Sequence, residues 1–470
     1  ARNCLAMETE RDRIQKLVTV ASLGWLFAAN CVGALIAVLL LKPSLNAWLW
    51  PFTYGRLMPL HMDWQLYGWC SVPLLGALGT QYWDSNDRGF ARTARALSLW
   101  SCALLMGGGF WLAGVAVGKP FLNWDGGARV ALVSALLLIW IQTLLGWNER
   151  RRQMTSSREG TIRILVKGLI AVGLGSVPVA LFITSRTSVY PPVNPNSGGA
   201  TGHSLLLSTL AIVALMLALP GAVLELRPLT RRRAVVESSR RRRFLLLLAF
   251  VASLAVYSVI KHGDASHRSL DQVLGLATLL IWPPLVAWHW RGFEWSNRSS
   301  RWRAGFLIWW AALAITGVTT FLPGVLELLK FTNALVAHAH LAMGGMVTAL
   351  NMVILIELGS DRKTRSALDR RWPFWLWNGG LAVHVVAIMA QGFREGGEPA
   401  TLFLANATTD ALYATRLVSG VAMAVVSGGW LWQCLRAALP VAQTRSGGQE
   451  LIADSHGARI EATVRMGERA

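Results

Sequence analysis

The sequence predicts an all-α fold: a polytopic membrane protein whose twelve transmembrane helices form one bundle. Three observations carry that expectation. Apolar residues make up 53% of the chain and charged residues only 15%, well under the share of about a quarter usual for soluble domains. The apolar residues gather into twelve runs, each long enough to cross a hydrocarbon core. Tryptophan is abundant, at 23 residues, which suits rings that settle where hydrocarbon meets water.

The runs lie near 17–42, 58–82, 93–118, 128–147, 163–185, 203–226, 243–261, 270–290, 303–324, 331–358, 374–393 and 411–437. A polar segment, 1–16, precedes the bundle of 17–437, and a polar tail, 438–470, follows it. The first run is too long for a signal-peptide core. The loops alternate in charge. Cations crowd the second, fourth, sixth, eighth and tenth loops, with Arg88 and Arg92, Arg150 to Arg152, Arg240 to Arg243, Arg298 and Arg301, and Arg362 to Arg371. Positive charge marks cytoplasmic loops, so both termini are expected in the cytoplasm. The loop 185–202 is rich in Pro, Ser, Asn and Gly and is expected to run as irregular chain over the outer face. No internal repeat is evident.

The net charge of +20 raises nucleic acid as a partner, but the arginines sit in short loops between apolar runs, where topology accounts for them. Nucleic acid is excluded and membrane lipid is the expected surroundings. The five cysteines are scattered and form no CxxC pair. Cys31, Cys70, Cys102 and Cys434 fall in apolar runs and are expected to be buried thiols.

The tenth run carries the densest chemistry. His338 and His340 stand two residues apart in it. On a helix of about 3.6 residues per turn they project to nearly opposite sides. Two imidazoles so placed cannot grip one metal, but each can hold a separate flat cofactor. An imidazole at membrane depth is costly unless ligated or hydrogen-bonded, so it marks function. Orientation gives other histidines the same outer address. His61 lies near the outer start of the second run, and His203 in the first turn of the sixth. The seventh runs outward to Tyr257, Lys261, His262, Asp264 and His267. Imidazole is a common ligand for haem iron, copper and non-haem iron. His289, at the inner end of the eighth run, is expected to anchor at the interface, His384 to be packed or hydrogen-bonded, and His456 in the tail to be solvated.

On these residues the chain resembles the catalytic subunit, subunit I, of the haem–copper oxidase superfamily, and within it the C-type (cbb-type) oxidases and the nitric oxide reductases. Gly55-Arg56-Leu57-Met58-Pro59-Leu60-His61 is similar to the family's second-helix motif, and Ala337-His338-Ala339-His340-Leu341-Ala342 to its tenth-helix motif. The resemblance implies two b-type haems. His61 and His340 would bind the low-spin haem, and His338 the high-spin haem. Gly202-His203-Ser204 is similar to the sixth-helix site of the distal metal, copper or non-haem iron. Gln391-Gly392-Phe393-Arg394 and Tyr413-Ala414-Thr415-Arg416 resemble segments of the eleventh and twelfth helices, which assigns Arg416 to cofactor binding.

One departure is local. Members carry two adjacent histidines at the outer end of the seventh helix, whereas this chain reads Lys261-His262-Gly263-Asp264. Asp264 or His267 is then expected to complete the distal site with His203 and His262, or the distal metal is absent. Tyr257 falls one residue short of the spacing of the C-type seventh-helix tyrosine, and Leu322 stands roughly where those oxidases carry a glutamate. The implied function is reduction of oxygen or nitric oxide in a prokaryotic cytoplasmic membrane. Electrons would arrive from a c-type cytochrome or another donor subunit, since the chain has no CxxCH haem-attachment motif. A non-catalytic electron-transfer subunit is the alternative. A transporter, a different class with a similar helix count, is disfavoured by the His-X-His pair.

Overall fold

The computed structural model describes residues 2–83, 86–119, 121–153, 158–189, 202–224, 236–261, 269–359, 361–402 and 406–438, and these contain helices and no strand. In hydrocarbon a spanning backbone must satisfy its own polar groups, and helices do so within one segment.

The first rod is α1 (Arg2–Leu41), followed by the short α2 (Leu45–Trp48). The second rod is α3 (Tyr54–Asp63), a π-helical turn over Trp64–Cys70, and α4 (Val72–Tyr82). Next come α5 (Asp87–Leu112) and α6 (Gly126–Gln153). The fifth run divides at Leu174 and Gly175 into α7 (Arg158–Gly173) and α8 (Ser176–Thr184). Then follow α9 (Gly202–Leu224) and α10 (Val236–Val259). The eighth rod joins α11 (Leu270–Ala277) to α12 (Trp282–Trp290) through a 3-10 turn. After α13 (Ser300–Thr320) and α14 (Val325–Leu329) comes the tenth rod: α15 (Asn333–His340), a second π turn over Leu341–Val347, and α16 (Thr348–Leu358). The short α17 (Arg362–Leu368) leads to α18 (Arg371–Gly397), and α19 (Ala407–Ala438) is the last helix described.

Ten of the expected spans are helices long and apolar enough to cross a membrane. The other two, 58–82 and 93–118, are helical but fall outside that set. The π turn divides the first of them, and four charged residues, Asp87, Arg88, Arg92 and Arg95, occupy the opening turns of α5, the helix that carries the second. The third helix also stops at Leu112 rather than near 118, because Gly114 (φ 92°) and Gly118 (φ 70°) turn the chain through left-handed backbone. The loop they form is tied down by Lys119. Its ammonium donates to the carbonyls of Thr184 (3.1 Å), Ser185 (3.1 Å) and Arg186 (2.9 Å) at the end of α8.

The tenth rod is the axis of the bundle. Of its most apolar stretch 78% is buried, against 11% to 44% for the other nine spans. Around it α1 packs along α19, α19 on α18, and α18 on α15. A Cβ on Gly392 of α18 would collide with the backbone of Ala334 in α15, so only glycine permits that approach.

The two π turns follow the histidines of the second and tenth rods and lie against each other. The Trp69 indole donates to Thr348 Oγ1 (2.9 Å), the Asn351 amide donates to the Trp69 carbonyl (2.8 Å), and Cys70 Sγ lies 3.6 Å from Met343 Sδ. Cys70 and Cys434 are buried as expected, but Cys31 and Cys102 are exposed, on outward faces of α1 and α5. The loop 190–201, the tail 439–470 with His456, and Arg231 to Arg233 lie outside the described residues.

Candidate functional site

His61 and His340 face each other across the gap between α3 and α15. Their ring centroids are 6.2 Å apart and their planes differ by 26°. Each ring is fixed by its Nδ1. His61 Nδ1–H donates to the Ala29 carbonyl of α1 (2.8 Å), and His340 Nδ1–H donates to the Val336 carbonyl one turn below (2.8 Å). A carbonyl only accepts, so both rings carry their proton on Nδ1 and present an Nε2 lone pair. That is the tautomer and the outer-shell bond of a metal-binding imidazole. Gly33 makes room for the first ring: a Cβ there would stand 2.7 Å from His61 Cε1.

His338 points elsewhere, toward α13. Thr316 Oγ1 already donates to the Ala312 carbonyl (2.9 Å), so it accepts from His338 Nδ1–H (3.1 Å). A Cβ on Gly317 would stand 3.4 Å from His338 Cε1. His338 and His340 therefore serve opposite sides of one helix, as their spacing predicts.

The donor set fits haem iron. Two metal–nitrogen bonds plus the half-width of each ring add up to about 6 Å between imidazole centroids, and the His61–His340 pair stands at 6.2 Å. Two neutral imidazoles suit a metal whose remaining ligands come from a macrocycle. Among the described residues no group of three or more His, Cys, Asp or Glu side chains is arranged to hold a bare ion.

His384 belongs to this neighbourhood, packed and hydrogen-bonded as expected. Its ring is 4.9 Å from that of His340, too near for a metal between them. Its Nδ1–H is shared by the Arg416 carbonyl (3.1 Å) and Ser419 Oγ (2.9 Å). The buried Arg416 guanidinium donates to Asn333 Oδ1 (3.3 Å) and acts electrostatically on His61, His340 and His384. Asn333 in turn gives its backbone N–H (2.7 Å) and its side-chain amide (2.6 Å) to the buried Glu395. Glu395, Thr316 and the buried Asp63, which accepts from Asn123 (3.2 Å), are not among the residues singled out from sequence. For Asp63 a signal was present, an ionisable residue inside an apolar run; Glu395 lies just past the end of the eleventh run and gave none. Thr316 left none.

Most of the distal residues fall outside the described ones. His203 lies in the first turn of α9, with its side chain outside the described residues, and His262, Asp264 and His267 lie wholly outside them. Tyr257 is half-buried on α10, which packs on α9 and α12. Lys261 holds its backbone N–H on Asp271 (2.6 Å) and its carbonyl on the Gln272 amide (2.7 Å). His289 is buried, and its Nε2 meets the Leu217 carbonyl of α9 at 3.0 Å.

The family model for cytochrome c and quinol oxidase polypeptide I matches residues 13–425. The chain belongs to that family. It is a multi-pass membrane protein of the haem–copper oxidase subunit I superfamily, and the match takes in all three paired histidines and Arg416. The function that goes with membership is that of an oxidoreductase subunit, and the cofactors are haems and a copper or iron centre. Among curated proteins no match is found.

Proposed function

We propose that this family member takes electrons at a low-spin haem b held by His61 and His340 and passes them to a high-spin haem held by His338, where oxygen or nitric oxide is reduced. Bound haem supplies the one-electron and diatomic-ligand chemistry. The chain's residues decide which haem does which. His61 and His340 together would hold the first and confine it to electron transfer. His338 alone, steadied by Thr316, would hold the second and leave it able to take a diatomic ligand. Arg416 places a buried positive charge beside the low-spin pair, where it favours an anionic group of the cofactor. The observation that carries the reading is the divergence of His338 and His340, one toward α13 and the other toward His61.

Within the family the motifs favour a C-type oxidase or a nitric oxide reductase. The unit is 17–437, with twelve spans, both termini in the cytoplasm of a prokaryote, and a c-type cytochrome or other donor subunit as partner. His203 and His262, with Asp264 or His267, hold the distal metal, and Tyr257 stands near the reaction. The pyridine haemochrome spectrum of the purified protein should give two haems b per chain, and carbon monoxide should bind one of them. A single haem, or no carbon monoxide signal, would overturn the reading.

A second reading, a non-catalytic electron conduit, is favoured by Lys261-His262-Gly263-Asp264, where one histidine stands in place of two. Metal analysis separates the two readings. A second metal that falls with turnover in His203→Ala and His262→Ala marks catalysis. Two haems without a second metal, and electron transfer unchanged in both variants, mark the conduit.

A further inference from the structure

At the arginine-rich end of the bundle two loops distant in sequence are locked together. Arg301 pairs with Asp369 (3.0 Å), the Arg365 guanidinium donates to Ser296 Oγ (2.6 Å), and the Trp302 indole donates to the Leu368 carbonyl (3.0 Å). Beneath them lies the fully buried Glu357 of α16, which accepts from Ser296 N–H (3.0 Å) and Ser299 Oγ (2.6 Å). Ser299 Oγ also accepts from Arg303 Nε (3.2 Å), so Arg303 and Glu357 answer each other.

The remaining charge does not balance. Arg298, Arg301, Arg365 and Arg371 all act on Asp369. Four guanidiniums around one carboxylate leave an excess of three positive charges. Arg298, Arg301 and Arg365 are half-buried rather than extended into solvent, and Arg365 Nε is buried without a hydrogen-bond partner. Topology explains why arginines occupy these loops. It does not explain why Arg301 and Arg365 are each held against the opposite loop with an Arg365 donor unmet, since loose side chains would be screened by salt.

We propose that this cluster binds the phosphate of an anionic phospholipid. Guanidinium forks match phosphate oxygens, and basic pockets between transmembrane helices take anionic headgroups. The surroundings suit a lipid better than a soluble anion. Trp372 and Trp375, 54% and 66% exposed, flank Arg371 in the first turns of α18. The exposed stripe continues through Val383 and Val386 at helical spacing, a track on which an acyl chain can lie below its headgroup.

The test uses the full-length protein in detergent, exchanged separately against phosphatidylglycerol, phosphatidylcholine and inorganic phosphate. Retained lipid is counted by native mass spectrometry and stability by thermal melting. Phosphatidylglycerol should be retained and protective in preference to phosphatidylcholine. Arg365→Gln and Arg371→Gln should each cut that preference about fivefold, the effect of roughly one arginine near a lipid surface. Arg151→Gln, in another basic loop, should leave it unchanged. Arg371 is exposed at a helix start, so its variant serves if Arg365→Gln fails to fold. Equal retention of both lipids, or an unchanged preference in Arg371→Gln, would overturn the proposal. Full protection by inorganic phosphate alone would do the same by showing the site to be one for a soluble anion.

Discussion

Each of the three histidines proposed as ligands has its Nδ1 proton held by a different device: the Ala29 carbonyl for His61, the helix's own Val336 carbonyl for His340, and a threonine hydroxyl for His338. The spectra of single variants should separate accordingly. His61→Ala and His340→Ala should each abolish the six-coordinate low-spin signal. His338→Ala should keep that signal and lose carbon monoxide binding. An undiminished carbon monoxide difference spectrum in His338→Ala would remove His338 from the high-spin site. Thr316→Val deletes the acceptor of His338 Nδ1–H while keeping the side chain's shape. Loss of such an outer-shell partner costs about 10–100-fold in metal affinity or activity. Retention of the carbon monoxide-binding haem on dilution should fall by that order, and His61 and His340 should be unaffected. The ligand spacing was legible in the sequence because two residues on a helix of known pitch fix opposite directions. The second shell was not, because Thr316, Ser419 and Ala29 are ordinary residues until helices distant in sequence bring them to the imidazoles.

At the scale of elements, the second and tenth rods share a design: a histidine, then a π turn, with the two turns in contact. A π turn widens the helix and leaves carbonyls that need partners. Thr348 Oγ1 supplies one, donating to the Met343 carbonyl (2.9 Å) while accepting from Trp69. Thr348→Val should therefore cost about 1–3 kcal/mol by stranding the buried indole N–H, and Thr348→Ser should restore most of it. Equal melting temperatures for wild type and Thr348→Val would show that the hydroxyl does not hold the turns together. Gly33→Val tests the contact with the first rod, since even a Cβ comes within 2.7 Å of His61 Cε1. The folded variant should lose the low-spin haem and be destabilised by about 1–3 kcal/mol through overpacking. Apolar runs revealed where the helices lie, though not their ends: α1 begins at Arg2, well before the first run, and α5 spans Asp87–Leu112 rather than 93–118. They carried no sign of the π turns, because an extra backbone residue in a turn leaves hydropathy unchanged.

For the whole molecule, the sequence foretold the helical bundle well, because a hydrocarbon solvent leaves the backbone few choices. The count of spans was harder, since 54–82 is broken by its π turn and 87–112 opens on charge. If both cross the membrane, a reporter fused in the loop 42–53 and one at 84–85 should face opposite sides. The 84–85 reporter should share its side with one at 154–157. Reporters at 42–53 and 84–85 on the same side would remove the second rod from the spans. His262, Asp264 and His267, proposed for the distal metal, lie outside the described residues, where the chain departs from the family pattern.

The tenth rod has one more consequence, and it concerns insertions and deletions. Both proposed haem sites hang on a helix that is buried along most of its length, with one residue between the two imidazoles. A residue added or removed between His338 and His340 would swing one ring about 100° around the axis. No partial loss is available: the second haem would meet a wall of packed side chains instead of a ligand. The loops at either end of the rod lie outside that constraint, so length changes should be tolerated there and never between the pair.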